Sequence, residues 1–169
     1  MDFKAYVRNV PDFPVPGIQF KDLTTLWKDK EVFHKSIDTL VEHYRGKKID
    51  KIVAAEARGF IIGSPLAYAL GAGFVPVRKA GKLPAEKITE SYALEYGVSS
   101  LEVHRDAIYP KEKVVIVDDV LATGGTCQAI IRLVESLGGE VVECAFFVVL
   151  DALRGEEKIS VPVYTLMRY

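Results

Sequence analysis

Cysteine and histidine are scarce here, two and three among 169 residues, and that scarcity removes whole classes of chemistry. Cys127 and Cys144 are too few and too far apart to form a disulfide framework. His34, His43 and His104 share no metal-ligand spacing with them, which argues against a zinc ion held by the protein. Cys127 falls near an expected helix start with no histidine beside it, so it reads as a helix residue without catalytic duty, and Cys144 reads as core. No Gly-x-x-x-x-Gly-Lys-[Ser/Thr] run occurs, which argues against a nucleoside triphosphate cradled by a P-loop. The apolar runs reach strand length and stop far short of a membrane span. A net charge of −1 offers no bulk attraction to nucleic acid or anionic membrane. The first residues lack the basic-then-apolar pattern of a secretory signal, and the expectation is a cytoplasmic protein with reduced thiols.

What is present is ordinary in bulk and unusual in one place. A content of 49% hydrophobic and 27% charged residues suits one domain with an ample core. Residues 114–126 read Val-Val-Ile-Val-Asp-Asp-Val-Leu-Ala-Thr-Gly-Gly-Thr. Four consecutive apolar residues cannot alternate faces, so they predict a strand buried on both sides of a parallel sheet, running out at Asp118 and Asp119. Ile130, Leu133, Val134 and Leu137 follow at helical spacing and end at Gly138 and Gly139. Between strand and helix lie Ala122, Thr123, Gly124, Gly125 and Thr126. Bare glycine backbone and two hydroxyls at a helix start can converge on an anion. The two carboxylates can accept hydrogen bonds from vicinal hydroxyls, and a diol with a single phosphate describes ribose 5-phosphate. The plainer alternative makes one aspartate a helix cap and the glycines a turn.

This segment resembles the 5-phosphoribosyl 1-pyrophosphate motif of the type I phosphoribosyltransferases, and three further segments resemble the branch that acts on adenine. The resemblance implies an α/β fold: a single domain, 1–169, with a mostly parallel twisted sheet flanked by helices. It divides into a hood and first helix at 1–45, a core at 50–169 and a flexible catalytic lid at 79–97.

Residues 11–22 carry three prolines and a glycine, which predicts a stiff irregular segment whose Phe13, Ile18 and Phe20 need burial. By resemblance this is a hood over the purine, with Phe20 stacked on the base, Gln19 and Lys21 reading its edge, and Val120 also at the adenine. Residues 30–44 carry an apolar stripe of Val32, Phe33, Ile37, Leu40, Val41 and Tyr44, the mark of an amphipathic helix packed on the sheet. A short buried strand at 51–55 leads into Glu56-Ala-Arg58-Gly59-Phe60 and a helix toward Leu70, with Pro65 at a first turn or a kink. Arg58 at a strand-to-helix junction can meet an anion, or it can pair on the surface with Glu56. A strand at 74–77 empties into Arg78, Lys79 and Lys82, a solvated turn if read alone. The resemblance assigns Arg58, Arg78, Lys79, Lys82 and Tyr96 to pyrophosphate.

The polar stretch between Pro84 and Gly97 has weak periodicity and reads as disordered or as a lid. Its Ser-Tyr-x-Leu-Glu-Tyr-Gly matches the family's catalytic loop and puts Glu95 at the acid/base position. Strands are expected at 101–104 on a sheet edge, at 141–150 and near 163–166, beyond a charged turn at 154–158. The resemblance further implies Mg²⁺ held mainly by substrate and water, without a protein metal cage, and a homodimer acting on adenine and 5-phosphoribosyl 1-pyrophosphate, with no nucleic acid or membrane partner. A phosphoribosyltransferase for another base, and a regulator that binds the same sugar phosphate without chemistry, share the central motif.

Overall fold

The computed structural model of the protein describes residues 1–93 and 97–169, in two compact units, 1–43 and 44–169. In the first, β1 (Arg8–Pro11) pairs antiparallel with β2 (Gln19–Asp22), and the short α1 (Thr24–Trp27) precedes α2 (Lys30–Tyr44). The irregular segment expected over 11–22 is therefore confined to its middle. Pro11 closes β1, where its missing N–H costs the ladder little, and Gln19 already faces it across the ribbon. Phe13 and Ile18, expected to be buried, are 52% and 47% exposed. Phe20 is half-buried and meets Phe13 edge to face, ring centroids 5.2 Å apart. α2 begins where Asp29 Oδ1 accepts hydrogen bonds from the Glu31 and Val32 amides at 3.0 and 3.1 Å, capping two otherwise unsatisfied donors. Its Val32, Ile37, Leu40 and Tyr44 are buried, as the stripe predicts.

The second unit contains β3 (Lys51–Ala55), α3 (Arg58–Leu70), β4 (Gly73–Lys79), β5 (Lys87–Ala93), β6 (Val98–His104), β7 (Lys113–Leu121), α4 (Gly125–Ser136), β8 (Glu140–Val149) and β9 (Val163–Arg168). Among the described residues seven strands form one sheet in the order β5-β6-β4-β3-β7-β8-β9. The pairs from β4 through β9 are parallel, while β6 joins β4 and β5 antiparallel. Helices cover both faces. Val53, Ala55, Val75, Val77, Val114 and Ile116 share a buried cluster with Cys127, Ile130, Leu133 and Val134 of α4. The alternate residues meet α3, whose Gly63 lies so close that a Cβ there would stand 3.0 Å from the Ala54 Cβ and 3.0 Å from the Phe74 ring. This is the expected α/β architecture, a mostly parallel sheet flanked by helices.

Five local expectations change. β7 does not run out at the acids: Asp118 pairs with Phe146, and the ladder continues through Val120 to Leu121. β4 likewise extends through Arg78 and Lys79, which pair with Glu102 and Leu101. The polar stretch holds a regular strand, β5, and β5 is the sheet edge that β6 was expected to be. An antiparallel edge strand needs only one covered face, and here Ile88, Glu90 and Tyr92 supply it while Lys87, Thr89, Ser91 and Ala93 are exposed. Arg132 of α4 anchors Glu90 at 2.5 Å. Pro65 lies in mid-helix, where the backbone bond it cannot make would have gone to Ile61, a residue 39% exposed.

With Phe146 and Phe147 fully covered, the centre of β8 tests the packing. Phe146→Ala should lower the unfolding free energy by about 3–5 kcal/mol. Chemical denaturation should register this as a lower midpoint at unchanged m-value, and a loss below about 1 kcal/mol would contradict a close-packed core.

Candidate active site

Because β3, β4, β7 and β8 run parallel, their carboxyl ends lie on one edge of the sheet, where open α/β sheets bind ligands. The end of β7 brings Asp118 and Asp119 to that edge. Asp119 is 3% exposed and its Oδ2 stands 2.9 Å from Arg58 Nε, at the start of α3. Asp118 is half-buried; its Oδ1 accepts a hydrogen bond from the Asp119 amide at 2.9 Å. Gly59 in the first turn of α3 makes room for it, since a Cβ there would meet Asp118 Oδ1 at 3.0 Å and the Val117 carbonyl at 3.2 Å. Asp118 therefore faces the positive end of the α3 dipole, while Asp119 faces the Arg58 guanidinium.

Removal from water, and then the neighbouring Asp119 charge, push the Asp118 carboxyl up to about 8. Burial also raises Asp119, against the pull of the Arg58 guanidinium. The pair thus favours holding a proton until a hydrogen-bond donor or a cation arrives.

After β7 the chain passes half-buried Ala122 and exposed Thr123 to Gly124, whose φ of +83° suits glycine and ends the approach to α4. Gly125 and Thr126 form the first turn. The Thr126 hydroxyl donates to the Tyr92 hydroxyl at 3.3 Å, and a Cβ on Gly125 would meet the Tyr92 ring at 3.4 Å, so the end of β5 walls the loop on that side. Val120, half-buried, pairs with Val148 just before the loop.

The third group gathers on Glu56, which follows β3. Its carboxylate accepts from Arg78 Nε at 2.8 Å, from the Lys79 amide at 2.8 Å and from Lys82 Nζ at 3.2 Å, with its side chain 8% exposed. Burial works to raise this carboxyl, but the three donors outweigh it and hold the group down at about 2. A second buried acid, Glu102, accepts from the Gly81 amide at 3.0 Å. Two carboxylates therefore hold the basic loop in shape.

From the sequence, Glu56 is a partner for Arg58 in one of two alternatives and has no role of its own. The structure gives Arg58 to Asp119 and makes Glu56 the hub of the cations. The available signal was an acid at the carboxyl end of one strand and three cations at the end of the next, since adjacent parallel strands bring such ends together. Arg58, Arg78, Lys79, Lys82, Asp118, Asp119 and residues 122–126 accordingly belong to one unit. Gln19, Phe20 and Lys21 belong to the other, where the Asn9 side chain donates to Gln19 Oε1 at 2.6 Å and accepts from Lys21 Nζ at 3.0 Å. Glu95 and Tyr96 lie outside the described residues.

A parallel strand with paired acids near its carboxyl end, followed by a glycine loop and helix, is the arrangement expected for a sugar phosphate. The family model for the phosphoribosyl transferase domain matches residues 26–168. This chain belongs to that family. The adenine phosphoribosyltransferase of Halothermothrix orenii is 53% identical over 169 residues, covering 99% of each chain. The crystal structure of the adenine phosphoribosyltransferase from Thermoanaerobacter pseudethanolicus matches with a TM-score of 0.95 at 51% identity, over 99% of this chain and 98% of that one. The Saccharomyces cerevisiae enzyme, crystallised with D-2,5-dideoxy-2,5-imino-altritol 1,6-bisphosphate and adenine, matches at 0.93 and 44% identity, over 97% of this chain and 96% of that one.

The raised Asp118 carboxyl has a consequence for a phosphoribosyltransferase without ligand. Between the ordinary carboxylate value of 3.8 and about 8 the folded chain keeps a proton that the unfolded chain has lost, so this group lowers stability as pH rises. Asp118→Asn removes that dependence. Its melting temperature should match the parent near pH 4 and exceed it by roughly 2–4 °C at pH 8 to 9. Thermal melts across this range check the sign, and a variant less stable at pH 9 would refute it.

Proposed function

We propose that this chain transfers the 5-phosphoribosyl group from 5-phosphoribosyl 1-pyrophosphate to adenine, giving AMP and pyrophosphate, as a step of purine salvage in the cytoplasm. The observation that carries the reading is the Asp118–Asp119 pair at the carboxyl end of β7, directly ahead of the glycine loop that opens α4. Support for adenine comes from relatives of that name that match over nearly the whole chain.

The reaction exchanges two bonds at the anomeric carbon. The bond to the pyrophosphate oxygen breaks as a bond to a purine ring nitrogen forms, through a sugar with cationic character by analogy with glycoside chemistry. The chain must hold the ribose, receive the leaving group and exclude water. Asp118 and Asp119 take the ribose hydroxyls, and as carboxylates they favour the developing positive charge. Ala122, Thr123, Gly124, Gly125 and Thr126 hold the 5-phosphate through amides and hydroxyls. Arg58, Arg78, Lys79, Lys82 and Tyr96 meet pyrophosphate, with Glu56 keeping the cations close together until it binds. Phe20 stacks on adenine, Gln19 and Lys21 read its edge, and Val120 lies against it. Glu95 handles the proton on the purine ring.

Mg²⁺ suits this donor set. Carboxylate oxygens at the end of β7 are hard ligands, and a divalent cation beside them would offset the cost of ionising Asp118. Bound mainly through substrate and water, it would supply charge neutralisation for the departing pyrophosphate.

The decisive experiment offers adenine, hypoxanthine, guanine, xanthine and orotate separately with 5-phosphoribosyl 1-pyrophosphate and Mg²⁺, and measures nucleotide and pyrophosphate. AMP from adenine alone is expected, and Glu95→Gln should lower kcat far more than it raises KM. Turnover of another base would refute the adenine assignment. Sugar-phosphate binding without turnover of any base would make the chain a regulator.

The active form is a homodimer. Ile61 and Tyr68 stand 39% and 90% exposed on the outer face of α3, apolar surface that a second copy would cover. Sedimentation velocity at micromolar concentration should show a dimer that Tyr68→Lys weakens toward monomer, and an unchanged profile would remove α3 from the interface.

A further inference from the structure

Residues 151–158, which contain the charged turn expected at 154–158, lie directly against the glycine loop. Two short 3-10 helices, Asp151–Leu153 and Gly155–Lys158, follow β8 and meet at Arg154, which has a left-handed φ of 52°. The turn is held by its surroundings. The Leu150 amide donates to the Leu121 carbonyl at 3.0 Å, tying the ends of β8 and β7 together, and the Asp151 amide donates to the Tyr169 carbonyl at 2.8 Å. Arg168 at the end of β9 reaches Asp151 Oδ1 and Glu156 Oε2, both at 2.8 Å.

At the centre of this turn Gly155 is buried, and its position admits no side chain. A Cβ there would stand 2.1 Å from the Ala122 carbonyl oxygen and 2.8 Å from the Gly124 amide nitrogen. The contact is reciprocal, because a Cβ on Gly124 would stand 2.5 Å from the Gly155 carbonyl oxygen. All of these neighbours are backbone, which cannot rotate aside as a flexible side chain can. Gly124 also has a positive φ, whereas Gly155 does not, so the demand for glycine at 155 comes from this approach and not from its own backbone conformation.

We propose that Gly155 is a positioning residue for the 5-phosphate: its bare backbone is the backstop that sets where the Ala122 carbonyl and the Gly124 amide lie. The inference rests on the reading of residues 122–126 as the phosphate loop. Amides that converge on a phosphate lose their effect when displaced by a fraction of a hydrogen-bond length. A methyl group at 155 must push the loop away by about that much, while leaving the basic cluster on Glu56 and the acids of β7 in place.

The test is Gly155→Ala, with ribose 5-phosphate binding followed by calorimetry and steady-state kinetics followed for both substrates. The dissociation constant of ribose 5-phosphate and the KM for 5-phosphoribosyl 1-pyrophosphate should each rise about tenfold or more, with the adenine KM held within about twofold. A general loss of structure would instead degrade both substrates together, and that pattern overturns the proposal. Arg168→Gln provides a variant without any clash. It loosens the turn by removing the ties to Asp151 and Glu156, and it should raise the same two constants by a few-fold; unchanged constants there also overturn the proposal. Ribose 5-phosphate that binds the parent and Gly155→Ala equally refutes the backstop alone. Failure of the parent to bind it refutes the phosphate-loop reading and the backstop with it.

Discussion

Two carboxylates side by side at the end of a strand covered on both faces are a costly arrangement, and much of the site answers to it. Asp119 lies in the ladder's last turns with almost no access to water, and the adjacent Asp118 is raised by burial and by its neighbour's charge. The protein sets the start of α3 against them. Arg58 supplies a full charge at 2.9 Å, and Gly59 lets the helix end approach Asp118 without a side chain between. Only the acid of this pair is buried, the Arg58 side chain being 49% exposed, so removing Arg58 would leave a covered carboxyl without its cation. The same packing that makes the acids reluctant to ionise would make them responsive to a hydrogen-bond donor or a cation.

The basic side of the site solves the opposite problem. Three cations within five residues repel one another, and a loop carrying them would splay into solvent. Glu56, held well below the usual carboxylate range by its donors, draws Arg78 and Lys82 together and orders the backbone at Lys79, while Glu102 closes the loop at Gly81. A basic loop ordered in this way would carry a smaller ordering cost on meeting an anion. Glu56 and Arg58 are two residues apart, so one β3–α3 junction serves both the cation cluster and the acid pair.

Parallel strands explain why such distant segments can cooperate. Residues 56–58, 78–82, 118–126 and 151–158 are dispersed through the chain, yet each follows or completes a strand whose carboxyl end lies on the same edge of the sheet. The antiparallel hairpin of β5 and β6 extends that edge, with Glu90 anchored by Arg132 and Tyr92 standing against the loop at Thr126.

Much of this was legible in the residues alone. Four consecutive branched apolar residues demanded a strand buried on both faces, the stripe of α2 demanded one covered side, and acids followed by glycines and hydroxyls singled out the segment between β7 and α4, because each of these signals is carried by residues near one another in the chain. The alternation within β5 is hidden in the sequence because Glu90 and Tyr92 count as polar there and become half-buried only through partners on α4. Phe13 and Ile18 were expected inside for their apolarity, which states a preference and cannot say whether a covering surface is available. The partners of Glu56 and Arg58, and the need for glycine at 155, were decided only by tertiary structure. They are contacts between the ends of different strands and the turns beyond them, set by register and by the separation of two backbones, and no spacing along one segment encodes either quantity.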